Sequence, residues 1–126
     1  MHYKDLNVYQ RAYQVAIDLH SYLENKAEKL SESEINTFKD AARRVIGNIA
    51  EGFTQKTTKA KRFYNFKALD EINKIHLDLD FLHDIKRFAE EEYKIFYQEY
   101  DICIRQLFKL NQAILERAEK EEIVKQ

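Results

Sequence analysis

With no proline and only two glycines in 126 residues, this chain carries almost nothing that interrupts a helix. Proline removes a backbone donor, and a mid-helix glycine costs about 1 kcal/mol against alanine. Their scarcity makes helix the default state, and the spacing of apolar residues then decides where each helix runs. In such a chain a retained glycine is expected to serve a stop or a close approach. Gly52 ends the block Asn48-Ile49-Ala50-Glu51-Gly52. Gly47 lies inside the same helical pattern, where close approach by a neighbouring backbone is the expected gain.

Four amphipathic patterns follow. The first starts near Asn7, with Asp5 or Asn7 as cap, carries Val8, Ala12, Val15, Leu19 and Leu23, and fades at Glu24-Asn25-Lys26. The second opens on Ser31-Glu32-Ser33-Glu34, a capping box, and continues through Ile35, Phe38, Ala42, Val45 and Ile49. The third, capped by Thr57 or Thr58, carries Phe63, Phe66, Leu69, Ile72, Ile75 or His76, Leu79 and Leu82, and ends near Arg87. The fourth runs from about Glu90 to Glu119 through Tyr93, Phe96, Tyr97, Tyr100, Cys103 or Ile104, Leu107, Ile114 and Ala118. Its acidic start, Glu90-Glu91-Glu92, suits the positive end of a helix dipole. Short connections between four helices predict an all-α, up-down-up-down antiparallel four-helix bundle, a single domain over residues 1–126 with a charged tail fraying from about 119. Apolar residues on helices one and four exceed a monomer's seam, which predicts self-association.

Composition limits the function classes. Charged residues make up 34% of the chain and hydrophobic ones 44%, as in a globular protein with a densely charged surface. The formal net charge of −1 and the pI near 6.4 lie far below the basic balance of a dedicated nucleic-acid binder. Cys103 stands alone and has no internal disulfide partner, which fits a reducing cytoplasm. Met1-His2-Tyr3-Lys4-Asp5 has no apolar stretch behind it, so no signal peptide is expected, and no run approaches the length of a membrane span.

Catalytic chemistry finds no foothold. His76, Asp80 and His83 share a face of the third helix, but no second carboxylate-histidine pattern stands on another helix and His20 has no matching carboxylates. The trio reads as a polar helix face, since one helix seldom completes a metal site. No Arg-His pair has the short spacing of a helical ribonuclease, and there is no glycine-rich phosphate loop. Cys103 falls on an apolar stripe, where a buried, inert thiol is expected. The chain is therefore expected to be no enzyme and to need no metal or cofactor.

One surface is strongly one-signed. Between Lys39 and Lys67 stand Lys39, Arg43, Arg44, Lys56, Lys59, Lys61, Arg62 and Lys67, opposed only by Asp40 and Glu51. Phe53, Phe63, Tyr64 and Phe66 are interleaved with them. Two readings stay open: the cations hold phosphates while an exposed ring stacks a base, or the segment is a solvated loop with Phe63 and Phe66 in the core. Glu51, in a last helical turn, is expected to pair with Arg43, Arg44 or a linker lysine. It would then fix a structural corner with Asn48 and Gly52.

The run Tyr3-Lys4-Asp5-Leu6-Asn7-Val8-Tyr9-Gln10-Arg11-Ala12, the pair Ala41-Ala42, the Asn48–Gly52 block, the Phe63-x-x-Phe66 spacing and Leu82–Phe88 together resemble a known family. It is that of the four-helix-bundle proteins encoded by intervening sequences in bacterial 23S ribosomal RNA. The chain departs from the family's pattern at Arg44-Val45-Ile46-Gly47, where Ser-Ile-Pro is usual, at Ile72-Asn73 in place of a small Gly-Ser pair, and at His76 in place of Glu. The family is similar in fold to the accessory variability proteins of diversity-generating retroelements. Those are homopentamers that bind a reverse transcriptase and nucleic acid. The resemblance implies a ring-forming, non-enzymatic accessory protein, with a homopentamer as the assembly. RNA, DNA or a protein such as a reverse transcriptase would be its partner, and Arg43, Arg44, Lys56, Lys59, Lys61, Arg62 and Lys67 are the candidate contacts.

Overall fold

The computed structural model describes residues 1–125 and contains four α-helices in sequence order: α1, Asn7–Asn25; α2, Glu32–Thr54; α3, Thr58–Asp84; and α4, Glu90–Lys125. Among the described residues there is no β-strand. Each helix packs beside its neighbours in sequence, and α1 also packs beside α4, which closes the square. This is the expected up-down-up-down bundle. α4 runs past the expected end at Glu119 and continues to Lys125.

Side-chain caps set the starts of α2 and α3 but not that of α1. The Ser31 hydroxyl accepts from the Glu34 amide while the Glu34 carboxylate accepts from the Ser31 amide, the reciprocal box foreseen in the sequence. Thr57, rather than Thr58, caps α3 through the Ala60 amide. At α1 the expectation fails. Leu6 occupies the cap with no side-chain bond, because Asp5 is engaged one turn earlier. There a short 3-10 turn, Tyr3–Asp5, is closed by the Asp5 carboxylate on the His2 amide. The turn between α3 and α4 ends α3 with a left-handed residue, Lys86, at φ 62°. The Lys86 amide bonds to the His83 carbonyl and the Arg87 amide to that of Leu82, the Schellman pattern usually given to glycine.

The core follows the stripes. Leu19, Val45, Ile49, Ile72, Ile75, Leu79, Tyr100, Cys103 and Leu107 are wholly buried. At one end Phe38 and Phe88 meet edge to face at 5.9 Å, with Tyr22 against both Phe88 and Phe96. Arg87 spans that end, donating to the Lys29 carbonyl and pairing with Glu34. Much of the aromatic surplus on α1 and α4 is thus used inside the bundle. The apolar side chains left exposed include Tyr13 and Ile17 on α1, Ile95 and Phe108 on α4, and Leu77, Phe81 and Ile85 at the end of α3.

The other end of the core is polar. Asn65 of α3 donates through Nδ2 to Oδ1 of Asn111 of α4 at 2.8 Å, and both are buried. Asn111 Nδ2 is buried without a partner. A buried amide left unpaired costs about 1–3 kcal/mol. Asn65→Ala removes the one partner Asn111 has and leaves that buried amide wholly unpaired, so it is expected to lower stability by about 1–3 kcal/mol in urea unfolding, whereas the exposed Gln112→Ala is expected to change it by less than about 0.5 kcal/mol.

Gly52 lies against this polar end. A Cβ there would meet Tyr64 Cβ at 3.1 Å, Asn65 Oδ1 at 3.2 Å and the Lys61 carbonyl oxygen at 3.2 Å. The glycine therefore allows α2 and α3 to approach, and it is no stop, because α2 continues to Thr54. Gly47 corrects the expectation made for it: nothing lies within 4 Å of its added Cβ. The same substitution should act in opposite directions at the two sites. Gly47→Ala is expected to stabilise by up to about 1 kcal/mol through helix propensity. Gly52→Ala is expected to destabilise by about 1 kcal/mol net, because two of its three contacts are backbone or Cβ and cannot swing away. Thermal unfolding of the two variants checks both signs.

Candidate nucleic-acid interface

The end of α2, the extended Gln55, and the first three turns of α3 form one corner of the bundle. Thr57 fixes where α3 begins, and Gly52 fixes how closely it passes α2. The helical spacing then sets the side chains. Lys56 and Lys59 are exposed. Lys61 Nζ donates to the Phe53 carbonyl at 3.0 Å and lies 5.8 Å from the Phe53 ring centre. The Arg62 guanidinium lies 5.6 Å from the centre of Phe66. Lys67 Nζ is 5.4 Å from the centre of Phe63 and 5.6 Å from that of Tyr64. Phe63 is 55% exposed and Phe66 42%, so neither belongs to the core. The expectation that placed both rings in the core is corrected by this exposure.

The eight cations separate into two groups. Lys39 pairs with Glu24, Arg43 with Asp40 at 2.6 Å, and Arg44 with the buried Glu71 at 3.1 Å. These three are locally neutralised. Among the described residues, Lys56, Lys59, Lys61, Arg62 and Lys67 enter no ion pair with a carboxylate. Glu51 does not pair as expected. Its carboxylate accepts from Gln55 Nε2 at 2.9 Å, and its carbonyl accepts from the Thr54 hydroxyl. A helix C-terminal carboxylate would meet the negative end of the dipole; here the side-chain amide of Gln55 meets it instead. Asn48 is half-buried beside a shallow hollow lined by Arg43, Arg44, Gly47, Lys67 and Glu71.

A deeper cleft of about 440 Å³ opens on the inner side of the corner. Its walls include Leu6, Ile49, Leu110 and Ile114, and Gly52 and Asn65 also line it. Lys56, Lys61 and Arg117 bring positive charge to it and Glu121 negative. Sequence reading missed the contribution of α4 here. Arg117 follows Ile114 by one short step along the helix, but nothing in the sequence ties that turn to the α2–α3 corner.

The other polar candidates are occupied by packing. His76 is buried, with its ring stacked on Tyr97 at 3.9 Å. Its Nε2 lies 3.1 Å from the Tyr97 carbonyl oxygen, which only accepts, so this nitrogen carries the proton. Burial holds the His76 pKa below its ordinary value. Asp80 accepts from the Tyr93 hydroxyl at 2.5 Å, and this bond is the main reason the Tyr93 pKa is pushed up to about 12. His83 stacks on Tyr93 at 4.0 Å and bonds to Glu90, which raises the His83 pKa. The three residues form the α3–α4 seam and are not a solvated face. Cys103 is fully buried, and burial pushes its thiol up to about 12. Among the described residues no group of three or more histidine, cysteine or carboxylate side chains is gathered to hold a metal ion. No helix there is long and apolar enough to cross a membrane.

Comparison with known proteins bears on the whole bundle. No curated protein matches the chain. A solved structure from Bacteroides thetaiotaomicron VPI-5482, described as a protein with unknown function from the S23 ribosomal protein family, superposes with a TM-score of 0.76. It shares 17% sequence identity, and the match covers 86% of this chain and 98% of the other. At that identity the likeness establishes the fold. The family model described as 23S rRNA-intervening sequence protein matches residues 4–109, which takes in α1, α2, α3 and the α2–α3 corner. Fold and sequence agree: the chain belongs to the 23S rRNA-intervening sequence protein family.

Proposed function

We propose that the protein is a non-enzymatic, ring-forming accessory that associates with RNA or another nucleic acid through its α2–α3 corner. The observation carrying this reading is the group of five cations, Lys56, Lys59, Lys61, Arg62 and Lys67, none of which pairs with a carboxylate among the described residues although acids outnumber bases in the chain as a whole. Cations gathered around one corner and left without carboxylate partners attract phosphates, and association with them releases counterions. The near-neutral net charge is compatible with this, because the opposing acids lie elsewhere.

Assembly strengthens the reading. Exposed Tyr13, Ile17 and Ile95 lie on α1 and α4, while Leu77 and Phe81 lie on α3 with Ile85 capping its C-terminal end. Two different apolar patches on one subunit suit a head-to-tail interface, which closes into a ring when the rotation allows. We take a homopentamer as the assembly, and the cytoplasm, where a lone buried thiol stays reduced, as its location. A ring repeats a weak patch on every subunit and so raises avidity without any new contact.

The test combines light scattering with RNA titration. A mass several times that of one chain and saturable RNA binding at low salt, weakened by Lys59→Glu/Lys61→Glu/Arg62→Glu, are the expected results. A monomer at micromolar concentration contradicts the ring. Absence of RNA and DNA binding contradicts the nucleic-acid role and leaves a protein adaptor, for instance for a reverse transcriptase.

A further inference from the structure

The α2–α3 corner carries more than charge. Phe63 and Phe66 stand on the outer side of α3 with half of their surface in solvent, although nearby apolar side chains such as Leu69 and Ile72 are buried. Each ring has its own cation within 6 Å of its centre: Lys67 for Phe63 and Arg62 for Phe66. Tyr64 stands edge-on to Phe63 at 5.3 Å and shares Lys67. From Lys56 to Lys67 there is no acidic residue; the first one beyond is Asp70, a turn past Phe66.

From this pairing of ring and cation we infer that the corner takes single-stranded nucleic acid, with bases stacked on Phe63 and Phe66 and the adjoining phosphates held by Arg62 and Lys67. The inference rests on the nucleic-acid reading above and narrows its ligand class. Bare phosphate attraction does not distinguish a duplex from a single strand. A duplex keeps its bases stacked on one another and offers no base face to a side-chain ring. An unpaired strand offers one at every nucleotide, and base–aromatic stacking tolerates any sequence because every base has a π-face. The spacing of the two rings along one helix presents successive platforms on the same side. Each cation already sits beside its ring, so a stacked base would bring its phosphate within reach of a charge.

The occupant is distinguished from a protein partner by the shape of the substitution. Phe63→Leu/Phe66→Leu keeps apolar bulk and removes the π-faces, whereas Phe63→Tyr/Phe66→Tyr keeps them. Both sites are half-exposed, and unchanged helicity by circular dichroism confirms that the variants fold. The probe is a labelled single-stranded RNA, alone and annealed to its complement, titrated by fluorescence anisotropy. Wild type is expected to bind the single strand at least about tenfold tighter than the duplex. The leucine variant should lose that preference while keeping its salt dependence, and the tyrosine variant should retain it. Equal affinity for strand and duplex, or a leucine variant that matches wild type, overturns the stacking inference while the phosphate role stands. Failure to bind either RNA at low salt overturns both.

Discussion

Replacing Phe38 with alanine is expected to cost about 3–5 kcal/mol of stability, a large share of what a domain of this size possesses. Phe38 is 1% exposed, meets Phe88 edge to face at 5.9 Å, and lies in the end of the core that Arg87 and Tyr22 close over. Removing the ring loses its transfer free energy and leaves a cavity that packed neighbours fill only in part. Phe66→Ala is the matched control. Phe66 is 42% exposed and its main partner is the guanidinium of Arg62, so its loss should cost about 1 kcal/mol or less. Chemical denaturation of the two variants measures the contrast directly. Equal losses would mean that the buried and exposed faces are misassigned.

That contrast also shows where sequence reading stopped. On α2 the spacing alternates between three and four, through Ile35, Phe38, Ala42, Val45 and Ile49, so the stripe keeps to one face and the core could be named in advance. On α3 the series Phe63, Phe66, Leu69, Ile72 and Ile75 advances by threes. Each step of three falls about 60° short of a full turn, so the series walks round the helix and cannot all be core. The buried face is fixed instead by Asn65, Leu69, Ile72, His76 and Leu79, which leaves Phe63 and Phe66 outside. Asn65 and Asn111 were illegible for the complementary reason. A single asparagine at a core position looks like surface until its partner on another helix is known. The same holds for the ion pairs: Arg44 and Glu71 are too far apart in sequence for local spacing to join them. Caps were legible where the bond is local, as at Ser31 and Glu34, and misread at α1, where the His2–Asp5 bond claims the expected cap.

The second large effect concerns binding. Lys59→Glu/Lys61→Glu/Arg62→Glu is expected to weaken single-stranded RNA binding by about 100-fold or more at about 0.1 M salt. Losing three phosphate contacts removes roughly two decades of affinity at that ionic strength, and reversed charges add repulsion. The control is Arg43→Glu, which changes a cation already paired with Asp40 at 2.6 Å and is expected to weaken binding far less. A comparable loss at Arg43 would place the interface on the outer face of α2.

Affinity alone does not separate phosphate contact from a change in folding or assembly, but its salt dependence does. The decisive measurement is the slope of log affinity against log salt for single-stranded RNA, in wild type and in the charge-neutral Lys59→Gln/Lys61→Gln/Arg62→Gln. Each phosphate contact on a single strand contributes about −0.7 to that slope. Contact through the five unpaired cations predicts a steep wild-type slope that becomes shallower by about 2 in the neutral variant. A flat wild-type slope, or an unchanged one in the variant, would contradict a nucleic-acid interface at this corner.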